Sequence, residues 1–233
     1  DVEFGTAGVS VLSVDNAFGT VARAITVDAA DRALVVGGFN RKVQQYREEH
    51  AAVWRLTLEG SPDVAFGGGD GHWRRAQEDS SSYSGYSVAV FGGRVYAGGQ
   101  HNDIASPSDD TIRVWGLTAQ GALDPTWSED GEAFPWIVWL DDECGPYDNS
   151  ARDLIVSNGR RVATTTLNVA CGLKAVGAMA FLDDGSLDKT FGENGTGFHR
   201  FFGFGPTAQG ASADREGSIY ISGNGWNCLS KKV

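Results

Sequence analysis

Acidic side chains that can do chemistry are concentrated in one segment of this sequence. Asp141, Asp142 and Glu143 are consecutive, and Asp148 follows them closely. Clusters of carboxylate oxygens are the ligands that Ca²⁺ prefers, and a pair of carboxyl groups can also serve as general acid and base on a polysaccharide. The spacing matches no EF-hand loop, so a solvated acidic loop is the alternative interpretation.

A second set of side chains is suited to recognition. His101 lies near the acidic residues of 103–110, and Tyr83 and Trp226 fall in segments that we expect to be loops. Aromatic rings on loops stack on sugars or anchor interfaces. The binding candidates are therefore Tyr83, His101, Asp141, Asp142, Glu143, Asp148 and Trp226, with Asp141, Asp142 and Asp148 as the ligands if Ca²⁺ binds. No catalytic residue is assigned, because the sequence has no phosphate-binding loop, serine elbow or His-Glu-x-x-His motif.

The elements that position these residues follow a repeat. An Asp followed three residues later by an aromatic residue begins at Asp1, Asp63, Asp124 and Asp188, at steps of 62, 61 and 64 residues. Three copies also have a Gly three residues before the Asp. The Asp can close a turn by accepting backbone N–H bonds, the Gly allows a positive φ, and the aromatic residue can wedge between units. We therefore predict structural roles for Gly60, Asp63, Phe66, Gly121, Asp124, Trp127, Gly185, Asp188 and Phe191.

Short apolar segments around the motif predict about four strands per repeat. Tight turns at 30–31, 92–93, 158–159 and 216–217 separate two of these strands, and a further strand is expected after each motif, at 8–14, 72–75, 134–140 and 197–202. A fixed period of this size favours an array of supersecondary units over a β-sandwich. The predicted fold is an all-β propeller of four four-stranded repeats, near 1–62, 63–123, 124–187 and 188–233. These repeats would form a four-bladed ring or half of a larger ring.

The segment 185–192, Gly-Ser-Leu-Asp-Lys-Thr-Phe-Gly, resembles the delta-60 repeat, an uncharacterised β-propeller repeat. The Leu-Val-Val-Gly-Gly of 34–38 is similar to the strand that precedes the motif in that family. The resemblance implies a bacterial propeller that is secreted or exposed at the cell surface. It implies no catalytic residues, because the family has no agreed ones.

Charge and composition narrow the partners. The formal net charge is −11 and the sequence pI is about 4.7, so the surface repels nucleic acid. No apolar run approaches the roughly 20 residues of a membrane span. The sequence begins inside a motif, so we expect that its numbering starts after processing or truncation.

The three cysteines leave two alternatives open. Cys144 and Cys171 fall in two loops on the same side of one repeat, and a disulfide between them would imply an oxidising compartment. Cys228 would then be a free thiol or pair with another chain, because an odd count forbids complete pairing. The alternative is three buried thiols.

Successive antiparallel strands place their loops alternately on two faces. Short, repeated turns fall on one face, and the segments that vary between repeats fall on the other, at 15–20, 40–50, 76–85, 100–110, 141–150, 167–174, 203–208 and 224–227. Function concentrates on variable loops held by a rigid scaffold. We therefore predict a non-enzymatic extracellular or cell-surface propeller that binds a glycan or a protein partner. The alternatives are a hydrolase or lyase that acts on polysaccharide, and a structural subunit of a larger assembly formed with a second copy or with the remainder of a longer chain.

Overall fold

The computed structural model describes residues 2–43, 46–75, 81–103, 111–135, 149–170, 173–192, 195–202 and 204–226. These residues form strands and turns, and none of them lies in a helix that could cross a membrane. The strands are β1 Gly19–Val27, β2 Ala33–Val43, β3 Tyr46–Arg55, β4 His72–Arg74, β5 Ser81–Phe91, β6 Arg94–Asp103, β7 Thr111–Leu117, β8 Glu132–Ala133, β9 Ser150–Ser157, β10 Arg160–Ala170, β11 Leu173–Phe181, β12 Phe198–Phe202, β13 Phe204–Ala213 and β14 Ile219–Trp226.

The strands form antiparallel sheets in which sequence neighbours pair. The first sheet is β1-β2-β3-β4, the second β5-β6-β7-β8 and the third β9-β10-β11-β12, and β13 pairs with β14 in the fourth. Each sheet packs face to face on the next, and the first strands β1, β5, β9 and β13 contact one another in turn. Those four strands therefore form the inner edge of an arc of blades. The predicted all-β propeller architecture is confirmed, with three complete blades and two strands of a fourth among the described residues.

The motif turn links each blade to the next. Phe66 is buried between the first and second sheets, Trp127 between the second and third, and Phe191 between the third and fourth. Consecutive motif copies are also joined by a backbone hydrogen bond. Gly67, which follows Phe66, donates its N–H to the carbonyl O of Gln120, just before Gly121, at 2.8 Å. Ser128, which follows Trp127, donates in the same way to Asp184, just before Gly185, at 2.6 Å. A motif copy therefore serves two blades at once.

The motif Gly is required for two reasons. Gly60, Gly121 and Gly185 have φ of +78°, +78° and +82°, which side chains resist. A Cβ on Gly121 would also lie 2.7 Å from the Phe66 ring, and one on Gly185 would lie 2.7 Å from the backbone N of Ser128. The sequence indicated the backbone angle, but the contact with the preceding copy emerges only from the packing.

Each motif Asp closes its turn and also forms an ion pair with an arginine. The sequence pattern did not indicate this ion pair. Asp124 Oδ1 accepts the backbone N–H of Thr126 at 2.9 Å, and Asp124 Oδ2 lies 2.7 Å from Arg94 Nε. Arg32 and Arg160 form the same ion pair with Asp63 and Asp188. All three arginines lie at the hairpin that leads into the second strand of a blade, so the ion pair joins two turns at one end of the blade.

One predicted strand and several predicted loops are wrong. Residues 8–14 form no strand apart from a single bridge between Thr6 and Val9. In the later repeats the strand after the motif pairs with the third strand of its blade, and no described strand pairs with residues 8–14. Residues 40–43, 46–50, 100–103, 167–170 and 173–174 also lie in strands and not in the irregular loops that were expected, because β2 pairs with β3 as far as Val43–Tyr46 and β10 with β11 as far as Ala170–Leu173.

One repeat alignment is shifted by a residue. Aligning 33–38 with 94–99 on their Gly-Gly pairs makes Leu34 equivalent to Val95. Both, however, lie in the core between the first and second sheets, Leu34 from one side and Val95 from the other. The structural counterpart of Leu34 is Tyr96, which lies between the second and third sheets. The first hairpin connects Val27 to Ala33 through a longer turn than the two glycines between Phe91 and Arg94, and a shift of one residue reverses the face.

Candidate functional site

Most of the acidic candidates lie outside the described residues. Asp141, Asp142, Glu143 and Asp148 fall in the undescribed range 136–148, as does Cys144, and Cys171 and Cys228 are also undescribed. The Ca²⁺, acid–base and disulfide hypotheses therefore stay predictions. Trp226 ends β14, but its side chain is not described. Within the described part of the chain, no group of three or more His, Cys, Asp or Glu side chains is arranged to hold a metal ion.

Tyr83 is buried and His101 is partly buried, and both lie in strands and not on an exposed loop. Tyr83 is 6% exposed and packs in the core between the first and second sheets, 6.4 Å from the Trp115 ring and 4.7 Å from the His101 ring. The two residues face each other across the β5–β6 pair. The Tyr83 ring is therefore not available to stack on a ligand. The sequence misplaced it because β5 begins at Ser81, earlier than the apolar pattern indicated.

The charged groups beside Tyr83 form a linkage between blades. Glu132 accepts from Arg75 Nε at 2.8 Å and lies 2.7 Å from Arg113 Nε, and all three side chains are largely buried. Burial lowers the pKa of Arg113, and the charge of Glu132 opposes that effect. Because this carboxylate is occupied by two guanidinium groups from different sheets, the cluster is structural.

A different set of residues meets at the inner edge of the arc. Each first strand carries a β-bulge at an equivalent place, and the extra residue is Arg23 in β1, Tyr86 in β5, Arg152 in β9 and Gln209 in β13. These four residues are called the inner row below. Bulges redirect a side chain and recur next to functional sites. The inner row is therefore the candidate site of this fold.

Glycines in the neighbouring strand make room for three of these bulges. A Cβ on Gly37 would lie 1.8 Å from the Val21 carbonyl O, one on Gly99 2.1 Å from the Ser84 carbonyl O, and one on Gly223 2.0 Å from the Thr207 carbonyl O. Each carbonyl lies close before a bulge residue. The third blade has Thr165 at this position, and nothing in the structure explains the difference. The repeated Gly of the second strand was thus the sequence signal that could have revealed the inner row.

Tyr86 contacts two other members of the inner row, Arg23 and Arg152. The Arg23 Cζ lies 5.0 Å from the Tyr86 ring centroid and the Arg152 Cζ lies 4.7 Å from it, so one ring contacts guanidinium groups from both neighbouring blades. The Tyr86 hydroxyl donates to Gln100 Oε1 at 3.2 Å, which fixes the ring in place. Cation–π contacts of this kind are worth about 0.5–1 kcal/mol each at partly exposed sites.

The two arginines differ in how their charge is balanced. Arg23 Nη1 lies 2.6 Å from Glu49 Oε1 and also donates to the Gly85 carbonyl O at 3.2 Å. Among the described residues no carboxylate lies within ion-pair distance of Arg152, which is half-buried. Its neighbour Asp153 instead accepts the backbone N–H of Ala211 at 2.6 Å, joining the third and fourth sheets. Arg152 therefore retains a guanidinium that can bind an anion.

Among the described residues, the inner row presents side chains suited to binding, and the carboxylates beside it are engaged. The Arg152 guanidinium and the exposed amide of Gln209 offer hydrogen-bond donors, and the Tyr86 ring offers an aromatic edge. The nearby carboxylates Glu49 and Asp153 are already occupied by Arg23 and by a backbone N–H. Such a surface suits a carboxylate or another planar anion, which arginine binds through two parallel hydrogen bonds.

A shallow groove of about 680 Å³ lies elsewhere, against the motif turn of the third blade. It is lined by Phe134, Leu187, Asp188 and Lys189, among others. The carboxylate of Asp188 is engaged by Arg160 and by the Thr190 hydroxyl. Asp188 is therefore not a free acid in this groove.

Comparisons with known proteins add little to this site. No protein-family model matches the chain, and no curated protein matches it. Among solved structures, a GH32 β-fructofuranosidase of Bombyx mori, a mutant in complex with sucrose, is similar with a TM-score of 0.48 and 10% identity, over 94% of this chain and 46% of that one. This chain thus spans less than half the length of that enzyme. At this distance the likeness carries no inference about a ligand.

Proposed function

We propose that this protein is a non-enzymatic binding module whose inner row holds a carboxylate-bearing glycan. Uronate sugars carry a planar carboxylate for Arg152 and apolar C–H groups that can pack against the edge of the Tyr86 ring. In keeping with the delta-60 resemblance, the proposal places the protein outside a bacterial cell or on its surface, where such polysaccharides occur.

The observation that supports this proposal is the half-buried Arg152 guanidinium beside an aromatic ring. A charge held at a blade interface without a carboxylate partner from the described ranges is costly unless another group compensates it. The bulges that place it there recur in all four blades, and three of them require a glycine. A purely structural arginine would be expected to have the ion pair that Arg23, Arg94 and Arg160 have.

Calorimetric titration with an oligogalacturonide, and with a neutral oligosaccharide of equal length, tests the proposal. We expect binding of the uronate oligosaccharide only. Arg152→Ala should weaken that binding about 10- to 100-fold, because a charge-assisted hydrogen bond contributes roughly 1.5–3 kcal/mol. Arg215→Ala is the matched control, since Arg215 is exposed in the 214–217 turn and its loss changes net charge equally.

Two results would contradict the proposal. One is equal affinity for the charged and neutral sugars, and the other is an unchanged affinity in Arg152→Ala. Chromatography of the oligogalacturonide after long incubation tests the non-enzymatic part. Shortened products would instead support the hydrolase or lyase alternative, and would direct attention to Asp141, Asp142, Glu143, Asp148 and His101.

A further inference from the structure

The two faces of every internal blade interface can be recognised by equivalent residues. The side of a sheet that faces the next sheet is called its forward side, and the other its backward side. Leu34 of β2, Tyr96 of β6 and Val162 of β10 lie on the forward side of their sheets. Each is 0% exposed because the next sheet covers it. On the backward side, Val88 of β5 and Leu154 of β9 are 7% and 3% exposed.

The fourth sheet presents the same forward position without a cover. Ile219 and Ile221 pack against the third sheet, so the alternation of β14 places Tyr220 on the forward side. Tyr220 is 46% exposed. It occupies the position at which the other three blades bury Leu34, Tyr96 and Val162.

The first sheet presents the matching backward position without a cover. Ile25 pairs with Val35 at the place in the first blade where Val88 pairs with Ala97 in the second, so Ile25 corresponds to Val88. By the same register Val27 corresponds to Val90. Ile25 and Val27 are nevertheless 67% and 60% exposed, although the fourth sheet of the same chain is present. The described part of this chain therefore does not bury the apolar edge of its own first blade.

Residues 2–17 already fill the outer half of that backward side. Leu12, Val14 and Ala17 pack on Val35, Phe39 and Trp54, and Gly5 donates its backbone N–H to the Glu59 carbonyl O at 2.6 Å, as Gly67 and Ser128 do in the later copies. What is left open is the inner half, along β1. The inner half of a blade is what β13 and β14 supply.

We propose that the β1 edge of one chain, with Ile25 and Val27, packs against the forward side of β13 and β14, with Tyr220, in a second copy of this chain. The contact extends the blade interface that the chain repeats internally, with residues 2–17 of one copy lying beside the β13–β14 pair of the other. The contact is head-to-tail, so two copies close into a ring if the angle permits. The proposal does not depend on the ligand of the inner row.

Sedimentation velocity over a hundredfold range of concentration tests the contact. We expect a dimer that dissociates on dilution. Ile25→Lys should weaken it at least tenfold by burying a charge in an apolar interface. Tyr220→Lys should do the same. The Tyr220 hydroxyl donates to Asp214 at 3.0 Å, and the ammonium introduced by the substitution can lie beside the same carboxylate. Val64→Lys is the control, because Val64 is 69% exposed in a motif turn away from both surfaces.

A mixture of the two variants gives the sharpest outcome. Each variant alone has only impaired contacts, but a mixed pair has one contact made by two unmodified surfaces. Mixing Ile25→Lys with Tyr220→Lys should therefore restore association that neither shows alone, and this also demonstrates that both variants are folded. Open-ended oligomers with the same response support the contact as well.

Three results would overturn the proposal. They are a monomer at every concentration, a dimer that persists in both variants, and a dimer lost with Ile25→Lys but kept with Tyr220→Lys. The last result would mean that two β1 edges pair with each other.

Discussion

At the scale of single residues, the motif Asp is a structural ion-pair partner and not a catalytic acid. Burial alone would raise the pKa of Asp124, but hydrogen bonds from Thr126 and the charge of Arg94 outweigh it and lower the pKa. A hydrogen bond from the Thr190 hydroxyl is the main cause that lowers the pKa of Asp188. The pKa of Asp63 is also lowered, where hydrogen bonds and the charges of Arg55 and Arg32 outweigh burial.

These shifts predict how stability depends on pH. A carboxylate whose folded pKa lies below its unfolded value of about 3.9 stabilises the fold above that value, and the contribution is lost as pH falls through the folded pKa. We expect the urea midpoint to decline below about pH 4. Asp124→Asn should have a lower midpoint at pH 7 and a shallower decline in acid.

Asp70→Asn is the control for that experiment, because Asp70 is exposed and the substitution removes the same charge. It should leave both the midpoint at pH 7 and the acid decline unchanged. An Asp124→Asn variant with the wild-type pH slope would show that the Arg94–Asp124 pair does not stabilise the fold.

At the scale of elements, the wedge between blades depends on complementary sizes at two positions. Gly116 lies below Trp127, and a Cβ there would lie 2.4 Å from Trp127 Cγ. The next copy has Ala180 and Phe191 at the same two positions, both in the core between the third and fourth sheets. The first copy has Arg55, whose Cζ lies 4.7 Å from the Phe66 ring centroid.

This complementarity predicts a coupled pair of substitutions. Gly116→Ala should lower the free energy of unfolding by about 1–3 kcal/mol through overpacking against Trp127. Combining it with Trp127→Phe should cost less than the sum of the two single changes, because the double variant reproduces the Ala180–Phe191 pair. Gly19→Ala is the control, because no atom lies within 4 Å of its added Cβ. Strict additivity in urea unfolding would contradict the pairing.

The elements also show where pattern reading succeeds. Trp54, Trp115 and Met179 each stand six residues before the motif Gly, a spacing that predicts equivalent buried positions, and all three are buried. The loops were harder to predict, because polar strands such as the ends of β2 and β3 have no apolar alternation to reveal them. Their pairing is fixed by the ladder that continues from the buried part of the hairpin.

At the scale of the whole molecule, the overall charge and the charge of the candidate site have opposite signs. The chain carries −11, while the inner row has two guanidinium groups. A uronate ligand is therefore repelled at long range and attracted at contact. Salt screens the first effect more than the second, because the Debye length falls from tens of ångströms at low salt to about 8 Å at physiological ionic strength.

This contrast predicts opposite salt responses of the two rate constants. The association rate of an oligogalacturonide should rise as ionic strength increases from about 0.02 to 0.15 M, over which the Debye length shortens to about 8 Å. The dissociation rate should rise as well, because the contacts are charge-assisted. Stopped-flow measurements separate the two. An association rate that falls with salt would show that the local field of the inner row controls the approach.

The sequence by itself determined the repeated unit, because the Asp, the Gly and the aromatic residue of each motif are needed for local turn geometry and recur at a fixed period. It also determined which face of the third strand is buried, because alternation is a local property. Only the tertiary structure decided that Arg23, Tyr86, Arg152 and Gln209 form one row, since they come from four blades and are brought together by bulges that depend on glycines in neighbouring strands. Only the structure, too, separated the buried Tyr83 from the exposed Ile25 and Tyr220, because burial depends on which blade lies opposite.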